Sequence, residues 1–332
     1  MISTALKRLA ICCSAVTLLI LCSASPARVG ELRTDRYVYT GGIDHGKQHG
    51  FGICRYTNGN VYSGHWNHAY KEGLGLMEFA DGTMEFGRWR RGTLQRKSGT
   101  NFNVGQTVYG LDVSKYQKNI KWKQLALPAS ARGKLTKTGT YLQPVLFMVV
   151  KSTQGTSLRN EYFERQFHGA RDHGIIRGAY HFLSPSGSGR SQARYFIQNT
   201  PLEKGDMPPV LDLEINRNVM LRDHSRIVAI AKEWLEEVES YYGVKPIIYT
   251  YDSYYRDYLH GHGFDDYDFW IASYSREPRF RHCVIWQFSQ TGKAHGIGHA
   301  VDLNVFRGGD YSDFKEYVRR KGIQRTPRRA RR

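Results

Sequence analysis

The 332-residue chain has little cysteine: Cys12, Cys13 and Cys22 fall in its first segment, which leaves only Cys54 and Cys283, far apart in sequence. That excludes a small disulfide-framed fold and predicts two separately buried thiols. Long hydrophobic runs are also scarce. The one present, Leu9 to Cys22, follows Lys7 and Arg8 and precedes the small residues Ala24 and Ala27. It is shorter than the roughly 20 residues that cross a bilayer. Residues 1–27 therefore read as a cleaved secretory signal, with a signal anchor in the inner membrane as the weaker alternative. A secreted, periplasmic or cell-envelope location follows. Neither a Gly-x-Ser-x-Gly elbow nor a phosphate loop occurs. His295 and His299 are separated by Gly296 and Gly298, which argue against a helix, and no third ligand follows, so no metal site and no cofactor are expected.

Acidic residues are absent from the last stretch, 319–332, which holds eight basic ones and reads as a disordered tail. Over the whole chain, 48 Lys and Arg face 30 Asp and Glu, a formal charge of +18. Such a field draws a protein to anionic polymers or surfaces. For a secreted chain these are an anionic envelope polymer or lipid, and nucleic acid is not an expected partner.

Between 37 and 93 the sequence repeats with a period of 23 residues. Tyr39 aligns with Tyr62, Trp66 with Trp89, Gly41 with Gly64 and Gly87, Gly52 with Gly75, and Asn58-Gly59 with Asp81-Gly82. Asn-Gly and Asp-Gly supply the positive φ angles of tight hairpin turns, and aromatic segments flank each pair, so every unit is expected to be a hairpin stacked on the next. The pattern Tyr-x-Gly-x-Trp followed by Gly-x-x-x-Gly-x-Gly resembles the MORN repeat, with Glu85 and Ala69 departing from it. Residues 94–107 are polar and suit a linker.

Eight short β-branched or aromatic runs follow: Val108 to Val113, Val145 to Val150, Gly178 to Phe182, Pro209 to Leu213, Pro246 to Tyr251, Phe269 to Tyr274, Val284 to Phe288 and Ala300 to Phe306. Amphipathic helices are expected around Tyr162 to Ala170 and Ile227 to Val238, the second ended by Gly243. The last gaps are too short or too glycine-rich for helices. The reading is an α/β fold over 108–318, a modified TIM-like (β/α) barrel whose last strands lack helices, preceded by an all-β stack of hairpins.

Chemistry in such barrels sits at the mouth formed by the strand ends. Asp112 ends the first run, Asp212 and Glu214 end the fourth, and Asp302 lies on the last. Strand alternation puts Asp212 and Glu214 on one face about 6–7 Å apart, close enough to raise one another's pKa. Acids gathered in a barrel mouth are costly unless they pair with a cation, here Lys151, or do acid/base work. His181 reads as a hydrogen-bonded core histidine.

From Val108 to Gly308 the chain resembles the glycoside hydrolase family 25 lysozymes, or muramidases. The resemblance rests on Gly110 to Ser114, Phe147 to Gly155, Gly178 to Phe182, Gln192 to Phe196, Pro209 to Glu214, Trp270 to Ala272, Ile285 to Gln287 and Val301 to Asn304. It implies hydrolysis of the β-1,4 bond between N-acetylmuramic acid and N-acetylglucosamine in peptidoglycan. It also implies Glu214 as general acid, with Asp212, Asp112 and Asp302 completing the acidic cluster. Tyr180, Tyr249, Trp270, Trp286 and Lys151 become substrate-binding residues. Residues 127–144 read as an insertion, and Ser152 stands where the family usually has Ala. The competing reading is a non-catalytic envelope-binding or scaffold protein that uses the repeats and the basic tail.

Overall fold

The 23-residue repeat folds as an antiparallel meander of seven strands: β1 (Arg28–Arg33), β2 (Tyr37–Asp44), β3 (Lys47–Tyr56), β4 (Val61–Asn67), β5 (Tyr70–Glu78), β6 (Met84–Arg90) and β7 (Thr93–Leu94). This is a computed structural model that describes residues 28–95 and 104–326. The expected signal at 1–27, most of the expected linker (96–103) and the end of the basic tail (327–332) lie outside the described residues.

The repeat has a physical cause. Trp66 Nε1 donates to the Gly52 carbonyl at 3.2 Å, and one repeat later Trp89 Nε1 donates to that of Gly75 at 3.1 Å. Tyr39 lies flat on Gly52 and Tyr62 on Gly75, where an added Cβ would come within 2.3 and 2.2 Å of the rings. The aromatic of one strand thus requires the glycine of the next. Tyr39, Cys54, Tyr62, Trp66, Met77 and Trp89 form the stack's own core. The turns differ from expectation. At Asn58-Gly59 and Asp81-Gly82 only the glycine takes positive φ, and the Gly59 and Gly82 amides donate to Tyr56 and Phe79 three residues earlier, so these loops are wider than two-residue turns. The two-residue turns with both central φ positive are His45-Gly46, His68-Ala69 and Arg91-Gly92 at the other edge.

The second unit runs β8 (Tyr109–Val113), a hairpin of β9 (Leu127–Ala129) and β10 (Tyr141–Gln143), β11 (Phe147–Gln154), β12 (Leu158–Arg159), α1 (Phe163–Asp172), β13 (Ile176–Phe182), α2 (Gly189–Asn199), β14 (Val210–Asp212), α3 (Arg217–Tyr242), β15 (Ile247–Tyr251), a short α4 (Asp252–Tyr254) continued by a π-helical turn at Tyr255–Leu259, β16 (Phe269–Ala272), β17 (Cys283–Gly292), β18 (Val301–Phe306) and α5 (Tyr311–Lys321). Strands β11, β13, β14, β15, β16, β17, β18 and β8 pair in that order, and β8 closes on β11. This is a closed eight-stranded barrel. All neighbours are parallel except β18, which is antiparallel to both β17 and β8 because a hairpin rather than a helix precedes it. The segment read as an insertion supplies the β9–β10 hairpin.

Alternation divides the barrel's apolar residues in two. Leu111, Met148, Val150, Leu211, Ile248 and Ile271 face outward to the helices, whose buried stripes include Phe163, Phe167, Trp234 and Val238. Phe147, Val149, Val210, Ile247 and Ile285 fill the lumen. The lumen's floor is closed by Tyr311, Phe314 and Val318 of α5 and by Leu76, Met84 and Phe86 of the hairpin stack. Lys315 pairs with Glu78 across that junction. The tail expected from 319 starts later: Arg319, Arg320 and Lys321 form the last turn of α5, where cations suit the helix dipole, and Ile323 is buried. Val104, assigned to the linker, is buried in the lumen cluster. Cys54 and Cys283 are free, buried thiols in different units.

Candidate active site

The mouth of the barrel is opposite the floor that the stack covers. Alternation places the acids in it: on β8, Leu111 and Val113 pack outward, which turns Asp112 into the lumen, and along β14 and the extended residues that follow it the outward Leu211 and Leu213 do the same for Asp212 and Glu214. Asp302 is on a reversed strand, so the amino end of β18 reaches the mouth, and register sets Asp302 opposite Asp112. Asp112, Asp212, Glu214 and Asp302 line one pocket of about 90 Å³ together with Tyr180, Tyr249, Trp270 and Gln287.

Asp112 and Asp212 are 7% and 5% exposed, so a charge on either is poorly hydrated. Burial, then the facing Asp302 carboxylate, pushes Asp112 well above the usual carboxylate range, against hydrogen bonds donated to its Oδ2 by Asn304 Nδ2 (2.8 Å) and Gln287 Nε2 (3.0 Å). Burial also raises Asp302, and the two side chains share a hydrogen bond. Two carboxyls this close titrate as a pair rather than as independent acids. Burial and then the charge of Glu214 push Asp212 well above its ordinary value, and Lys151 opposes them. Asp212 Oδ1 is buried with no hydrogen-bond partner among the described residues. Burial raises Glu214, partly offset by a hydrogen bond from Tyr251 and by Lys151.

Lys151 forms no ion pair with these acids. Its Nζ donates to Gln154 Oε1 at 2.8 Å and lies 4.5 Å above the Phe182 ring, and burial lowers its pKa against the pull of Asp212 and Glu214. Trp286 is not among the pocket-lining residues either. Ile285 and Gln287 face the lumen, so alternation turns Trp286 outward, where its N–H donates to the Ser273 carbonyl at 2.7 Å and its ring packs edge-on against Phe288. His181 is fully buried between Thr153 Oγ1 (2.8 Å) and Gln192 Oε1 (3.3 Å), and burial lowers its pKa to about 3.

Four residues escaped the sequence reading. Gln287 accepts from the hydroxyls of Tyr249 (3.1 Å) and Tyr274 (2.7 Å) while donating to Asp112. Asn304 accepts from Trp270 Nε1 at 2.8 Å while also donating to Asp112. Tyr251 holds Glu214. Period-two alternation from Asp302 to Asn304, from Ile285 to Gln287, from Tyr249 to Tyr251 and from Trp270 through Ala272 to Tyr274 carries the signal, although β16 ends at Ala272 and Tyr274 lies in the loop after it. The arrangement offers acids with raised pKa values beside aromatic faces and amides that fix them, which is equipment for proton transfer to a polar ligand.

The sequence model of the family described as "Glycosyl hydrolases family 25" matches residues 111–297. An uncharacterised protein of Escherichia coli (strain K12), YegX, is 36% identical over 224 residues, which are 67% of this chain and 76% of that one. Lysozyme M1 of Streptomyces globisporus is 28% identical over 217 residues, 60% of this chain and 68% of its own. Among solved structures, a bacterial lysozyme from Streptomyces coelicolor superposes with a TM-score of 0.54 at 27% identity, covering 64% of this chain and 98% of that one.

Proposed function

Because the chain belongs to the glycosyl hydrolases of family 25, we propose that it is a secreted muramidase, cleaving the β-1,4 bond between N-acetylmuramic acid and N-acetylglucosamine in peptidoglycan with Glu214 as general acid. The observation that carries the assignment is the set of four carboxylates around one pocket, on β8, on β18, and on β14 and just beyond its end. Breaking a glycosidic bond at neutral pH needs a carboxylic acid whose pKa is raised, and burial shifts Glu214 in that direction. Glu214 is the less buried partner of the Asp212–Glu214 pair and gives its proton to the leaving oxygen as the bond to the anomeric carbon breaks.

The bare Oδ1 of Asp212 then has one of two uses: it bonds to the anomeric carbon, or it accepts from the N–H of the substrate's acetamido group while that group's oxygen attacks. A covalent sugar adduct trapped on Asp212 selects the first. The Asp112–Asp302 pair, fixed by Gln287 and Asn304, and the faces of Tyr180, Tyr249 and Trp270 form the wall against which the sugar is held. The MORN-type stack and the basic C-terminal residues hold an anionic envelope polymer or lipid.

Glu214→Gln is expected to fold normally and to lose at least about a hundredfold in lysis of purified peptidoglycan, the scale of a missing general acid. Near-wild-type clearing on a zymogram would remove Glu214 from that role, and an inactive wild-type protein would favour the scaffold reading. Mass spectrometry after borohydride reduction should find reduced N-acetylmuramic acid ends. Reduced N-acetylglucosamine would mean a glucosaminidase.

A further inference from the structure

The hairpin stack carries a histidine cluster that the hydrolytic chemistry does not use. His45 and His68 occupy equivalent turn positions one repeat apart, and Asp44 ends β2 beside the first of them. His49 is on β3, facing the same edge. One carboxylate oxygen of Asp44, one nitrogen of His49 and one of His68 lie within 4.8 Å of one another. His68 Nε2 is 3.5 Å from Asp44 Oδ2, and the His49 and His68 rings meet edge to face with centroids 5.0 Å apart.

From these donors we propose that Asp44, His49 and His68 form a site for one divalent transition-metal ion, zinc by the chemistry of its ligands. Zinc takes imidazole nitrogen and carboxylate oxygen at about 2.0–2.2 Å in a tetrahedron, whose donor atoms sit about 3.3–3.5 Å apart. The Asp44–His68 pair already has that spacing, and rotation of the His49 ring brings in the third donor. The surrounding bonds prepare the ligands: His68 Nδ1 is 2.7 Å from Asn67 Oδ1, which fixes the tautomer that leaves Nε2 free toward Asp44. His45 Nδ1, 2.7 Å from Asp44 Oδ1, holds the other carboxylate oxygen.

Comparison within the chain separates this cluster from ordinary turn chemistry. One repeat later, the residue equivalent to His49 is Glu72, and its carboxylate caps the Arg91 backbone N–H at 3.0 Å. His49 makes no such cap, and its Nδ1 is buried without a hydrogen-bond partner among the described residues. A donor atom left unsatisfied at the one edge where two hairpins bring a carboxylate and a second imidazole together is explained by a cation between them. The ion would tie β2–β3 to the β4–β5 turn and stiffen the stack without touching the barrel mouth.

The test is titration of the full, tag-free chain with zinc chloride by calorimetry, with cobalt(II) as an optical probe. Expected is one saturable equivalent, a rise in melting temperature with zinc, and the visible bands of tetrahedral cobalt. His68→Asn replaces an exposed turn residue and should fold; it is expected to weaken binding at least about tenfold and abolish the thermal shift. Asp44→Asn and His49→Gln should do likewise. His262→Asn, which alters the His224–His262 pair of the barrel, should leave binding unchanged. Absence of saturable binding up to about 100 µM zinc, or wild-type zinc affinity in His68→Asn, would overturn the proposal. Neither outcome bears on peptidoglycan hydrolysis.

Discussion

Asp212 keeps its carboxyl where a charge is poorly solvated, and that has a measurable cost. An acid whose folded pKa is raised binds more protons folded than unfolded, so stability is greatest below the unfolded value, about 4, and falls as pH rises toward the folded value. Asp112, Glu214 and Asp302 carry shifts of the same sign. Asp212→Asn is therefore expected to melt above the wild-type protein at about pH 7.5, with the gap closing toward pH 4, while losing activity. Differential scanning fluorimetry across that range checks it, and a lower melting point at neutral pH would contradict the cost of burial assigned here. Arg177 neutralises another buried acid, Asp206, whose pKa burial also raises. Its guanidinium, 2% exposed, makes paired bonds to Asp206 at 2.7 and 3.2 Å and lies over Phe167, so Arg177→Ala leaves a buried carboxylate with the Glu203 N–H but without its cation and should cost about 3–5 kcal/mol in chemical denaturation.

Among the elements, the turn at His68-Ala69 stands out. Ala69 sits at φ 73°, where the equivalent turns have Gly46 and Gly92. A Cβ in the left-handed region costs roughly 1–2 kcal/mol, so Ala69→Gly should raise the melting temperature of the apo protein, and unfolding curves will show whether it does. The sequence already marked this position as a departure from the repeat, because a missing glycine is visible in an alignment of the chain with itself. All eight barrel strands were legible for a similar reason: β-branched runs such as Phe147 to Val150 are buried on both faces and leave a continuous apolar signature. The direction of β18 was not. Nothing in Val301 to Phe306 distinguishes a parallel from an antiparallel strand, and only the short preceding gap hints at a hairpin. Asp112, Asp212 and Glu214 were readable from the ends of their apolar runs, whereas Asp302 reaches the mouth only because β18 is reversed, and the outward turn of Trp286 depended on which residues of β17 face the lumen, which only its neighbours decide.

On the scale of the molecule, the stack plugs the barrel floor with Leu76, Met84 and Phe86, while the acids occupy the opposite end. Phe86→Ser is therefore expected to lower thermal stability, and to leave the rate on soluble glycan fragments within about twofold of wild type for the folded fraction, since it removes packing and no reacting group. A large loss in rate by correctly folded protein would mean that the floor shapes the cleft. The facing pair Asp112 and Asp302 belongs to the first and last barrel strands, which meet only when the ring closes. Nearly the whole length of the enzyme must therefore be made and folded before these two acids face one another. A chain still leaving the ribosome has no complete site, and truncated copies that lack β18 lack one of the four acids.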